Sequence, residues 1–135
     1  MLDFTALPTR NKFYAGANGA KIAVIYDGEQ YMLKFPAPAP KNKELSYANS
    51  CISEYIGCHI FNSVGINAQE TLLGTYEKSG VKKIVVACKD FTSPGIVLQD
   101  FASLKNTVID SGHSGYGTEL SDIMRAMEDQ TAFPP

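Results

Sequence analysis

Two blocks of strand composition flank a stretch in which apolar positions recur at helical spacing. Residues 21–26, Lys-Ile-Ala-Val-Ile-Tyr, have strand composition, and residues 30–35, Gln-Tyr-Met-Leu-Lys-Phe, follow as a return strand. Asp27-Gly28 between them signals a tight hairpin turn, because glycine takes positive φ at no steric cost. Residues 36–40, Pro-Ala-Pro-Ala-Pro, fit neither a helix nor a central strand, and residues 41–43 continue them as an exposed link. Ser46 is then the expected N-cap. Ala48, Cys51, Ile52, Tyr55, Ile56, His59 and Ile60 recur as one apolar stripe, the buried face of a helix of about five turns. Gly65 suits its C-terminus, and Gly57 within it costs about 1 kcal/mol relative to alanine, which points to close packing there. Residues 69–76 read as a strand, 78–80 as a turn, and 83–88 as a nearly continuous apolar strand buried on both faces. A short helix is expected around residues 99–105 and a loop over residues 111–117. Thr118 caps a last helix carrying Leu120, Ile123, Met124 and Met127 on one face. Residues 1–12 read as irregular or as an edge strand, and residues 129–135 as frayed.

The order hairpin, helix, hairpin, helical extension predicts an α+β fold: a small antiparallel sheet with one packed helix and a carboxy-terminal helical extension. At 135 residues, 44% of them hydrophobic, the chain can support one core, and residues 1–135 show no internal boundary. The formal net charge of -2 argues against nucleic acid as the main partner. No window approaches the roughly 18 apolar residues of a membrane span, and the amino terminus lacks the pattern of a secretory leader. Cys51, Cys58 and Cys88 form neither a disulfide framework nor a zinc spacing, and His59 and His113 do not form a metal pair, so a reduced, cytoplasmic protein without a metal site of its own is expected. Cys51 and Cys58 are seven apart and can face one core.

Gly16, Ala17, Asn18 and Gly19 would let backbone N–H groups approach an anion closely, with Lys21 on the same turn. Lys34 stands in an apolar strand and needs a partner, because an unpaired ammonium is expensive to desolvate. Glu54, at the margin of the helical stripe, is the candidate. Each element alone has a plainer reading: a turn, a lysine snorkelling from an edge strand, a solvated helix carboxylate. Together, a Lys-Glu pair between strand and helix beside a glycine loop is the arrangement kinases use to hold nucleotide phosphates. Two Asp-Phe-Thr stretches, at residues 3–5 and 90–92, are near-misses of a kinase metal motif in the wrong place. Gly112-His-Ser-Gly115 lacks the spacing of a nucleophile elbow.

These segments resemble HipA-like serine/threonine kinases. Residues 14–21 are similar to the family's glycine-rich phosphate loop, with one residue more than its usual pattern. Residues 31–36, Tyr-Met-Leu-Lys-Phe-Pro, look like its lysine strand. Ser53-Glu54-Tyr55 followed by Val64-Gly65-Ile66 resembles its Asn-Glu-Tyr to Leu-Gly-Leu helix, and residues 85–91 sit where its hinge strand lies. The short kinases of the family are the nearest subgroup. The resemblance implies that Gly16, Ala17, Asn18 and Gly19 cover the phosphates with Lys21 nearby. Lys34 would neutralise the α and β phosphates, and Glu54 would orient Lys34. Backbone atoms of Ala87, Cys88 and Lys89 would meet the adenine edge. Val24 and Val86 as apolar walls for the base are our own placement, not part of the resemblance. Residues 11–14 contain no serine, so the self-phosphorylation switch of some family members is not expected.

The family's catalytic loop and magnesium-binding motif would follow further along, and this chain ends at Pro135 before them. An ATP-binding amino-terminal kinase lobe, inactive alone, is therefore expected, with ATP and a protein substrate as partners of the full kinase and Mg ligands in the second lobe. The alternative is a stand-alone module of toxin-antitoxin type that docks on a partner kinase. An apolar surface where a second lobe would pack also predicts self-association.

Overall fold

Two tight hairpins build the sheet, and each turns on a dipeptide that accepts positive φ. The computed structural model describes residues 1–14, 20–37, 49–96 and 119–131. Strands β3 (Lys21–Tyr26) and β4 (Glu29–Lys34) join through Asp27 and Gly28, at φ 51° and 78°. Strands β5 (Thr71–Lys78) and β6 (Val81–Lys89) join through Ser79 and Gly80, at φ 52° and 74°. Positive φ at both central residues matches the right-handed twist of the flanking strands. Two short strands, β1 (Leu2–Asp3) and β2 (Thr9–Arg10), close the edges of a six-stranded sheet in the order β1-β5-β6-β4-β3-β2. The sheet is mixed rather than wholly antiparallel: β1 runs parallel to β5, pairing Leu2 with Gly74 and Asp3 with Thr75. The α+β class stands.

The alternation of β4 divides its residues between two faces. Tyr31 and Leu33 join Phe4, Val24, Val85 and Ala87 in the main core. Phe4, Tyr26 and Tyr31 meet edge to face, with centroids 5.9 and 6.0 Å apart. On the other face Met32 packs with Val86, Cys88, Cys51 and Tyr55. Val85 to Cys88 are fully buried, as expected of a strand covered on both sides, whereas Lys82, Lys83 and Ile84 of the same strand are exposed.

Helix α1 (Ser50–Ser63) lies against β5 and β6. The proposed cap Ser46 and Ala48 fall outside the described residues, and Asn49 stands at the N-cap without a side-chain cap bond. The C-terminal end follows a Schellman pattern. The Gly65 N–H donates to the Asn62 carbonyl at 3.2 Å and the Ile66 N–H to the Phe61 carbonyl at 2.9 Å, with Gly65 at φ +81° one place past the cap residue Val64. Three expectations fail on this helix. Ile56 and Ile60 are 48% and 57% exposed, so the part of the stripe they form is not covered by the sheet. A Cβ at Gly57 would meet nothing within 4 Å, so close packing does not explain that glycine. His59, expected in the core, lies exposed, with Nε2 3.3 Å from the Thr71 carbonyl and its ring 4.2 Å from that of Tyr55.

The sequence reading draws no boundary along the chain; the structure divides into two compact units, Met1–Asp90 and Phe91–Pro135. In the second, Ser93 and Ile96 exchange backbone hydrogen bonds of 3.1 and 2.9 Å around Gly95, at φ +86°. Helix α2 (Leu120–Asp129) carries an Asp122–Arg125 ion pair of 3.6 Å. Its buried residue is Ala126, whereas Leu120, Met124 and Met127 of the expected apolar face are exposed. The expected helix at 99–105, the loop at 111–117 and the cap Thr118 lie outside the described residues. No described helix is long and apolar enough to cross a membrane.

Candidate functional site

Lys34 and Glu54 meet. Lys34 closes β4 on the face that α1 covers, and its Nζ lies 2.5 Å from Glu54 Oε2. Each side chain keeps about a quarter of its surface, 28% for Lys34 and 26% for Glu54, so the pair borders solvent rather than the core. Two thiols brace it. Cys88 Sγ donates to the second Glu54 oxygen at 3.5 Å, and Cys51 Sγ donates to the Lys34 carbonyl at 3.3 Å. Burial, with the Glu54 carboxylate second, pushes the Cys88 thiol up to about 12. Burial also raises Cys51. Both are therefore neutral donors at physiological pH. The side chain of Cys88 thus helps aim Glu54, a contact that the strand pattern does not reveal.

Lys21 pairs with Lys34 across the β3–β4 ladder, so both project from one face of the sheet. Like charges directly opposite are unfavourable, and the Glu54 carboxylate offsets the charge of Lys34. Gly16, Ala17, Asn18 and Gly19 lie outside the described residues. Chain entry and exit around them are defined: Tyr14 lies beside Gln30, and the Ala20 carbonyl accepts the Phe35 N–H at 3.0 Å, next to Lys34.

The adenine-edge assignment needs correction. Ala87 and Cys88 lie inside β6, in register with β4 on one side (Leu33, Met32) and β5 on the other (Leu72, Thr71), so their backbone groups serve the ladders. The Lys89 N–H donates to the Glu70 carbonyl at 2.9 Å, and the Lys89 carbonyl accepts Gln69 Nε2 at 3.1 Å. The Lys89 ammonium stands 3.9 Å from Glu29 and 3.5 Å from Glu70, whose carboxylates raise its pKa, Glu29 first. The paired walls also separate: Val24 belongs to the main core, whereas Val86 stands opposite Lys34 on the face that α1 covers. Strand register puts Ala23 opposite Met32, and these two share the face of Lys34. Among the described residues no group of three His, Cys, Asp or Glu side chains could hold a metal ion. A second polar cluster, Lys12, Tyr14, Gln30 and Asp90, occupies the other end of β4. Sequence reasoning missed it, treating Asp90 as a chance match.

Comparison with known proteins bears on this geometry. No family model matches the chain. The chain is 50% identical over 135 residues to the serine/threonine-protein kinase CtkA of Helicobacter pylori, covering 99% of itself and 40% of that protein. The crystal structure of a Helicobacter pylori proinflammatory kinase CtkA superposes with a TM-score of 0.84 at 50% identity, over 99% of this chain and 44% of that one. The chain therefore spans less than half the length of the kinase it matches. Its fold is that of part of a solved kinase, and over almost its whole length its sequence is similar to a serine/threonine-protein kinase.

Proposed function

We propose that the chain is the ATP-binding lobe of a HipA-like serine/threonine kinase and does not transfer phosphate by itself. The observation that carries the reading is the Lys34–Glu54 pair, 2.5 Å long, joining the strand to the helix at the edge of solvent. A surface ion pair contributes only about 0–1 kcal/mol to stability, and this one meets solvent over about a quarter of each side chain. A lysine held by a carboxylate beside a second lysine is better accounted for as a phosphate-binding device. Lys34 would neutralise the α and β phosphates, Glu54 would hold its ammonium in place, and Lys21 would add charge. Gly16, Ala17, Asn18 and Gly19 would cover the phosphates with backbone N–H groups. Ala23 and Met32, on the same face as Val86, replace Val24 as the apolar surface for the base. The described residues do not fit a magnesium site, so ligands for a nucleotide-bound metal would come from a second lobe, as would the group that accepts the proton of the protein substrate's hydroxyl. Phosphoryl transfer needs metal, nucleotide and acceptor placed together.

Titration of the isotopically labelled chain with ATP tests this. Shift changes centred on Lys21, Lys34 and Glu54, lost in Lys34→Met, are expected, with no γ-phosphate transfer to a protein acceptor in an acid-quenched assay. Absence of those shifts, or clear turnover by this chain, refutes the reading.

A second reading, a module docking on a partner kinase, has its own support. Ile56, Ile60, Phe61, Val64 and Ile66 leave an apolar surface exposed along α1 and just past it. Co-sedimentation with a partner kinase, abolished by Ile60→Glu, is its expected outcome.

A further inference from the structure

Three donors converge on one carboxylate oxygen at the end of β6. Lys12 Nζ, Tyr14 Oη and Gln30 Nε2 each lie 2.6 Å from Asp90 Oδ2. The Asp90 side chain is 3% exposed, whereas that of Lys12 keeps 36% of its surface. The cluster is tied further: the Asp90 N–H donates to the Gln30 carbonyl at 2.8 Å, Gln30 Nε2 reaches Tyr14 Oη at 3.2 Å, and the Lys12 ammonium sits 5.4 Å from the centre of the Tyr14 ring. Desolvating a carboxylate this far is costly unless charge and hydrogen bonds compensate, and here both do. Lys12 and Tyr14 come from a segment with no strand or helix of its own, so this carboxylate ties that segment to the sheet.

The position of the cluster says what the tie serves. Gln30, Met32 and Lys34 alternate onto one face of β4, so the cluster and the Lys34–Glu54 pair sit at opposite ends of that face, about 13 Å apart along the strand. The chain leaves the cluster at Tyr14 and returns to the sheet at Ala20, beside Lys34. Fixing Tyr14 removes conformational freedom that a ligand would otherwise have to remove on binding.

We propose that Asp90 is a positioning residue for nucleotide binding: through Lys12, Tyr14 and Gln30 it anchors the segment leading into the glycine-containing loop at a set place relative to Lys34. This rests on the reading of the chain as a nucleotide-binding lobe. Calorimetric titration of the full chain with ATP and, separately, adenosine tests it, with Asp90→Asn and Tyr14→Phe compared against the unmodified protein. An anchor for the loop that covers phosphates makes both variants lose ATP affinity, about tenfold for Asp90→Asn and less for Tyr14→Phe, while adenosine affinity stays within about twofold. A purely structural role would lower both affinities in proportion, and that result overturns the proposal. ATP binding unchanged in both variants overturns it as well, leaving the lobe reading intact. No ATP binding by the unmodified chain overturns the lobe reading and this proposal together. Should Asp90→Asn fail to fold, Tyr14→Phe, which removes one hydroxyl, decides alone.

Discussion

Buried protons set the behaviour of individual residues. The Cys88 thiol is pushed from 9.0 up to about 12, first by burial and then by the Glu54 carboxylate. The Tyr14 hydroxyl is pushed from 10.0 up to about 12, first by burial and then by its bond to Asp90. A folded-state value above the unfolded one means that the folded chain keeps its proton longer. The stability linked to these groups is therefore whole below about pH 9 and is lost as pH rises toward 12. Chemical denaturation at a series of pH values should show stability falling over that window, with a shallower fall above pH 10 in Tyr14→Phe. For the same reason native Cys88 should resist iodoacetamide at pH 8, where an ordinary thiol reacts, and become labelled only on unfolding, as read by mass spectrometry. Glu54→Gln separates the functional from the structural role of the ion pair. Unfolding free energy should change by no more than about 1 kcal/mol, given how much of the pair meets solvent, while ATP affinity falls about tenfold. The Lys34–Glu54 pairing is legible in the chain because a strand lysine needs a counter-charge. The bracing thiols and the Asp90 cluster are not visible, since Cys88 lies 34 positions from Glu54 and Asp90 lies 76 from Tyr14.

Elements formed where local chemistry demanded them. Asp27-Gly28 and Ser79-Gly80 turn because each pair accepts positive φ, and β3 takes the bounds its composition predicts, Lys21–Tyr26. The amino-terminal strand is different. It docks in parallel beside Gly74, and an added Cβ there would meet the Phe4 ring and lie 2.7 Å from the Leu2 carbonyl. Gly74→Ala should therefore cost about 1–3 kcal/mol by displacing β1 and Phe4 from the core, measurable as a lowered denaturation midpoint. Gly57→Ala should act in the opposite sense. With open space at its Cβ, it should raise stability by up to about 1 kcal/mol through helix propensity alone. The two glycines look alike in sequence, and only the packing around them sets the sign.

For the whole molecule, the net charge of -2 offers little repulsion between copies, and the exposed apolar residues of α1 offer adhesion. Sedimentation should show association that grows with concentration and is suppressed by Ile60→Glu. The sequence by itself determined the hairpins, the helix, its glycine C-terminus and the pairing of residue 34 with residue 54, because turn stereochemistry, periodicity and charge compensation act over short distances or admit few partners. Only the tertiary structure decided which face each strand residue occupies, that Val24 and Val86 part company, that the backbone of Ala87 and Cys88 is consumed in ladders, and that Asp90 gathers the segment before the glycines. Those outcomes depend on register between strands distant in the chain, where a shift of one residue exchanges the two faces of the sheet.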